Sequence, residues 1–314
     1  MADPTPETAP PAAGPPARRV VAAVSLSGAG MRYAEVVRDG GAARLRRLGG
    51  VDFAFDAERA LLGDGDGDAL GEVGEALGEV LAGTGAEVLV VAAHPTATTT
   101  FFTPLPAGLD DEARDAQLRQ EAALLADLAP SAAVRVRAVP VRSEAGPGGG
   151  RRWYHAVHVG EPVHVRLARL ADGLGVAAYD LADTTRAAAA LVRPAPAGDG
   201  AGGVDVVVGA YGAHSEVALC RDGAFLFGHC GAGTTPEDTA YFALSALQHA
   251  GIDASSVGRL LTYGAAADPD RLALAADLLG CEPGPLDPFA AFGRSPDVSA
   301  AERAAYAPVL GAAL

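Results

Sequence analysis

One unit occurs twice in this chain: an apolar strand, a turn of small residues, a second strand, an Arg-Asp-Gly turn and a third strand. The first copy runs from Val20 to Leu48 and turns at Arg38-Asp39-Gly40; the second runs from Val204 to His229 and turns at Arg221-Asp222-Gly223. Asp-Gly between two β-type runs signals a hairpin, because Gly accepts positive φ and Asp tolerates it. Helix-like and strand-like segments follow each meander. The repeat therefore predicts two similar α/β lobes with a cleft between them.

The remaining segments fit that frame. Ala69–Leu81 reads as a helix, Glu87–Ala93 as a buried strand ended by His94-Pro95, and Asp111–Leu128 as a helix begun at Asp110 and stopped by Pro130. A Thr-rich extended piece, 96–106, and strands around Val134–Ala138 and Trp153–Val159 make a strand-rich insertion over 96–160. A helix 163–173, a strand 175–181 and a helix 183–192, capped by Asp183, complete the first lobe. In the second lobe the pattern predicts helices over 235–250 and 269–279, a strand over 259–263, and one last helix from Ser299 onward. The expected division is a Pro/Ala tail over 1–18, a first lobe over 19–194, a Pro/Gly linker over 195–203 and a second lobe over 204–314.

Composition excludes several functions. The formal charge of −15 opposes nucleic-acid binding and docking on anionic lipid. No apolar run approaches the ~20 residues that span a bilayer, so direct membrane insertion is not expected and a soluble, cytoplasmic protein is. Every basic residue is arginine, and there is neither lysine nor asparagine. That rules out a P-loop lysine, a Schiff-base lysine and a kinase catalytic-loop asparagine. Three scattered cysteines, Cys220, Cys230 and Cys281, read as buried small hydrophobes.

Local matches run through most of the chain after the tail. Val24-Ser25-Leu26-Ser27-Gly28-Ala29-Gly30-Met31-Arg32, with Ala34-Glu35-Val36, sits where actin-like ATPases carry Asp-Ile-Gly-Ser-Ser-Ser-Val-Lys and Val-Glu-Leu. Leu105-Pro106-Ala107-Gly108-Leu109, Leu286-Asp287-Pro288-Phe289 and the segment from Tyr306 to Leu314 complete the pattern. On these motifs the chain resembles the type IV pilus assembly PilM family, within the actin-like ATPase superfold (a duplicated RNase H-like fold). The resemblance implies a cytoplasmic scaffold, peripheral to the inner membrane, that binds the N-terminal tail of a PilN-like membrane protein between the first lobe and its insertion. Carried over, that surface is Thr98, Phe101, Phe102 and Leu105; the alternative for the two phenylalanines is that they anchor the insertion to the core.

The resemblance also marks a degenerate nucleotide cleft at Ser25, Ser27, Gly28, Arg32, Gly209, Gly212, Ser215 and Gly264. Ser25 and Gly209 stand where the family has magnesium-holding aspartates, and Ser27 and Tyr211 where it has glycines. A triphosphate needs metal or cationic partners that these turns do not supply. The expectation is a pseudo-ATPase with no catalytic residue, no metal and no cofactor; ATP and magnesium remain possible if the cleft is not fully degenerate. The competing expectation is an active ATPase or small-molecule kinase drawing a carboxylate from Asp183, Asp205 or Asp238.

Other constellations carry less. Asp64, Asp66, Asp68 and Glu75 have calcium-loop spacing, with Ala69 where the sharp turn needs glycine, and an acidic helix cap is the alternative. His155 and His158, three apart on a strand, face opposite sides and cannot share a metal through it. Beside Ser215, His214 could contact an anion, but no acid or oxyanion hole is defined for a triad.

Overall fold

The computed structural model describes residues 18–63, 67–128, 134–146, 149–193, 203–293 and 296–314. The tail, the greater part of the linker, Asp64 and Asp66 of the acidic loop, and part of the 146–150 hairpin tip lie outside the described residues.

The first lobe is built on the strands β1 (Arg19–Ser27), β2 (Gly30–Asp39) and β3 (Ala42–Asp52), followed by the helices α1 (Ala57–Leu62) and α2 (Gly67–Val80) and by β4 (Val88–Ala93). The insertion supplies β5 (Thr99–Pro106), α3 (Asp111–Leu125), β6 (Val136–Glu144) and β7 (Arg151–His158). The chain then returns through α4 (Glu161–Gly173), β8 (Ala178–Asp183) and α5 (Thr184–Ala190). The second lobe holds β9 (Val204–Ala210), β10 (Ser215–Arg221), β11 (Ala224–Gly231), α6 (Pro236–Ala250), β12 (Val257–Tyr263), α7 (Pro269–Leu279), β13 (Pro283–Pro285), α8 (Ala300–Ala305) and α9 (Ala307–Ala312).

Two five-stranded sheets have the same plan, β3-β2-β1-β4-β8 and β11-β10-β9-β12-β13. In each, the meander is antiparallel and the last two strands run parallel to the first. The duplication expected from the repeat is thus present strand for strand. The hairpin turns differ by one residue: the left-handed pair is Asp222-Gly223 in the second lobe but Gly40-Gly41 in the first, so the first Asp-Gly signal points one position early.

The insertion forms a separate sheet, β5-β7-β6. Pro104 and Pro106 lie on β5 and Pro140 on β6, the two edges; central β7 has none, as the missing proline N–H requires. The same rule explains β13, a Pro-Gly-Pro strand at the sheet edge that the sequence pattern did not suggest. Helix α1 was also not anticipated; it is six residues long, capped by the Asp56 side chain. The expected helix from Ser299 breaks into α8 and α9 at Tyr306, just before Pro308 enters the first turn of α9.

Three apolar clusters fill the body of the molecule, one on the outer face of each large sheet and one between the lobes. In the central cluster α9, from the second half of the sequence, packs against α5, β1 and β4 of the first. A Cβ on Gly311 would run into the Ala187 carbonyl, so the helices cross at backbone contact there. Among the cysteines only Cys220 is buried, whereas Cys230 and Cys281 are half-buried, and all three are free thiols. Among the described residues no helix is long and apolar enough to cross a membrane.

Candidate functional site

Each meander presents its first turn to the space between the lobes, and the two turns are held very differently. In the first lobe, β1 ends at Ser27 and Gly28 turns the chain with a φ of 56°. The Gly28 N–H, the type of donor that would meet a phosphate, donates instead to the Glu58 carboxylate at 3.2 Å. Ser25 is buried between Arg32 of β2 and Ala92 of β4 in the sheet register. Arg32, the expected phosphate contact, donates to the Met31 carbonyl and the Asp52 carboxylate, so its charge is spent along its own sheet.

In the second lobe the turn is fixed from behind by Arg271 of α7. This buried guanidinium donates to the carbonyls of Tyr211, His214 and Gly233 and to the Ser215 hydroxyl, at 2.7–3.2 Å. Ser215 in turn donates to the Gly233 carbonyl and is fully buried, so it does not face an anion. Gly209 is required by a neighbour: a Cβ there would lie 2.6 Å from the Tyr263 ring. Gly264, with φ 101°, passes so close to β9 that a Cβ would lie 2.5 Å from the Ala210 carbonyl. Gly212 has open space around it.

Between the turns lie Tyr211 and His214, which the sequence reading singled out, together with Glu216, His94, Thr184 and Tyr263, whose roles it did not anticipate. Glu216, on β10, is fully buried and receives hydrogen bonds from His94 Nδ1 at 2.6 Å, the Thr184 hydroxyl at 2.8 Å and the Tyr263 hydroxyl at 2.8 Å. His214 Nε2 lies 3.4 Å from the same carboxylate. Tyr211 stacks on His214 and meets the edge of His94, with ring centroids 4.7 and 4.4 Å apart. His94 and Thr184 belong to the first lobe and the other members to the second, so the cluster bolts the lobes together.

Electrostatics makes the bolt ionic. Burial opposes charge on both partners, yet the His94 ring holds the Glu216 carboxyl well below the usual carboxylate range, and Glu216 raises His94 above its ordinary value. Asp183 caps α5 through the Thr185 and Arg186 amides and accepts from the Thr185 hydroxyl; burial nonetheless pushes its pKa up to about 6, with Glu216 adding to the rise. Glu58, Asp183 and Glu216 all act electrostatically on buried Tyr211. Glu58, Asp183 and Glu216 thus act on the same buried cluster, in which the rings of His94, His214, Tyr211 and Tyr263 pack together between the lobes.

The other carboxylates considered are taken up elsewhere. Asp205 makes a bidentate pair with Arg259 at 2.7 Å, and Asp238 completes a capping box with Thr235 on α6. Within the insertion, His158 bonds the Arg135 carbonyl and His155 is stacked on Phe102, its cross-strand partner. Asp68 and Glu75 both lie on α2, which starts at Gly67 rather than Ala69.

An open groove lies between the first lobe and the insertion, about 570 Å³ in volume, bordered by Leu62, Thr96–Thr99, Leu128 and Val159. Thr98 faces it. The other three expected partner-binding residues do not: Leu105 and Phe101 pack in the insertion's own core with Leu118 and Tyr154, and Phe102 fits against Phe225 and Phe227 of β11. The alternative reading of the phenylalanines, as anchors, is what the packing shows, and it extends to Leu105. All four were carried over from the resemblance as one surface, whereas strand alternation along β5 and the contact with the second lobe decide which way Phe101, Phe102 and Leu105 point.

No family model and no curated protein matches the sequence. Among solved structures the fold is similar to that of the PilM–PilN type IV pilus biogenesis complex, with a TM-score of 0.67 and 15% identity over 93% of this chain and 97% of that one. The chain has the two-lobed fold of PilM. Weaker likenesses are to a Bacteroides thetaiotaomicron protein with an actin-like ATPase fold (TM-score 0.49, 9% identity, 86% and 91% of the two chains) and to the cytoplasmic domain of EpsL, an inner-membrane component of the Vibrio cholerae type II secretion system (0.41, 11%, 79% and 82%).

Proposed function

We propose that this chain is a PilM-like scaffold of a pilus or related secretion machine that has given up nucleotide hydrolysis. In this reading it works at the cytoplasmic face of the inner membrane, holding the tail of a PilN-like partner in the groove between the first lobe and the insertion. One contrast carries the reading: the interlobe cleft is occupied by the protein's own Glu216, His94, Tyr211 and Tyr263, while the groove at Thr98 stands open.

The groove suits an extended peptide. Strand β5 is an edge of the insertion sheet, and its N-terminal end at Thr99 borders the groove, so a peptide can add backbone hydrogen bonds there while small side chains leave room for its own. Leu125 at 60% exposure and Leu124 at 73% add apolar surface at the end of α3, beside the groove.

Calorimetry with the N-terminal peptide of the membrane partner tests the groove. Thr98→Trp, which fills it, is expected to abolish binding, whereas Phe102→Ala weakens the fold but leaves the site; equal binding to the Thr98→Trp protein refutes the assignment. The loss of hydrolysis has its own check. The expected result is no phosphate release at millimolar magnesium-ATP, and release that stops in a Glu216→Gln variant would refute the reading.

A further inference from the structure

A second cavity, of about 550 Å³, lies where the two large sheets and the insertion meet. It opens beside the N-terminal ends of β1 and β4, at the far end of these strands from Ser25 and His94. Arg19, Arg38, Arg137 and Arg186 line it against a single acidic side chain, Asp180, and its apolar walls come from Val88, Val139 and Phe225. Positive charge is in excess there, within a chain whose formal charge is −15.

These arginines are poorly compensated by the protein itself. Arg137 is paired with Asp180 at 2.8 Å, and Arg19 reaches Glu87 only at 3.7 Å on the exposed edge. Arg38 sits directly across the β1–β2 ladder from Arg19, a like-charge pairing that costs stability, and among the described residues its guanidinium bonds only the Ala313 carbonyl. The Arg186 side chain has no hydrogen bond or ion pair among the described residues. Burial lowers the pKa of both Arg38 and Arg186, with Arg19 adding to the fall at Arg38 and Asp183 opposing it at Arg186.

We propose that this cavity is a binding site for a small organic phosphate of nucleotide size, gripped by Arg19, Arg38 and Arg186. Guanidinium forks arriving from β1, β2 and α5 match a multiply charged tetrahedral group, whereas a single carboxylate would leave charge uncovered. The volume lies within the range of small-molecule sites, and the valine and phenylalanine walls take the organic body. Because the site touches both lobes and the insertion, its occupant would stiffen their arrangement. This inference stands apart from tail capture, since neither Thr98 nor the groove contributes to the cavity.

Isothermal titration of the full chain with pyrophosphate and with ADP, magnesium-free, tests it. Saturable binding is expected for both, weakened at least about tenfold by Arg186→Gln and unchanged by Arg119→Gln, which removes an exposed arginine from α3. The proposal is overturned if neither probe binds, if Arg186→Gln binds as well as the native protein, or if citrate binds as tightly as pyrophosphate. Binding lost on Arg32→Gln but kept in Arg186→Gln would place the anion in the interlobe cleft and also overturn it. Peptide capture should be unaffected by Arg186→Gln, so the two sites succeed or fail separately.

Discussion

The two meander turns began as copies of one another and now differ in what holds them. The first-lobe turn at Gly28-Ala29 rests on the chain that follows its own meander: the Gly28 N–H donates to the Glu58 carboxylate, and the Glu58 and Phe53 N–H groups donate to the Gly28 and Ala29 carbonyls, with open space where a side chain on Gly28 would go. The second-lobe turn, from Tyr211 to Ser215, is fastened by three hydrogen bonds from the buried Arg271, which also holds the Gly233 carbonyl, and is faced with aromatic rings. The comparison teaches that two equivalent turns can be held differently: one is drawn onto a buried guanidinium and an aromatic cluster, and the other leans on the chain that follows its own meander.

The largest effect is expected where both walls depend on one group. Glu216→Ala leaves His94 charged and unpaired in the interior and should cost about 4 kcal/mol in urea unfolding; a loss below about 1 kcal/mol would show that the lobes are not bolted there. Arg271→Ala frees three carbonyls and a hydroxyl in the second wall and should cost about 3 kcal/mol. In the first wall, Asp183 gives a pH signature. Its folded pKa of about 6 lies above its ordinary value, so the folded state holds a proton that the unfolded chain releases near pH 4. Stability therefore declines as pH rises from about 4.5 to 6, while Glu216, whose pKa is lowered, loses its contribution only below that window. Asp183→Asn keeps the helix cap and should flatten a slope worth about 2 kcal/mol; an unchanged profile contradicts the assignment. The smallest effect should be Glu58→Ala, about 1 kcal/mol for the Gly28 tether, and a loss equal to that of Arg271→Ala would erase the asymmetry.

The duplication was legible in the sequence because alternation and turn residues are local signals, and both meanders, α6 and α7 lie close to where the pattern puts them. Helix α1 is too short to show a period, and β13 is disguised by prolines that only an edge can accept. At the cleft, the absence of aspartate at positions 25 and 209 was readable, but what replaced it was not. Glu216 and His94 are 122 residues apart and meet only when the lobes close. One clue was available: a glutamate inside the apolar run Val217-Ala218-Leu219-Cys220 and its mate β9 is a charge in a strand core, which demands a partner. For Phe101 and Phe102 the sequence left a binding surface and an anchor open together, because neither the insertion's own core, which covers Phe101 and Leu105, nor the second lobe, which covers Phe102, is visible in a local pattern.

The contact of α9 with β1 and β2, beside which Arg38 of β2 bonds a carbonyl 275 residues further on, bears on the order in which the molecule can assemble. During synthesis the amino-terminal half emerges with a face of its sheet uncovered, and it stays so until the final helix leaves the ribosome. Such a long-range closure slows folding and leaves sticky surface waiting for its cover. Deleting α9 should therefore harm the half of the protein made first, and a chaperone is most needed in that interval.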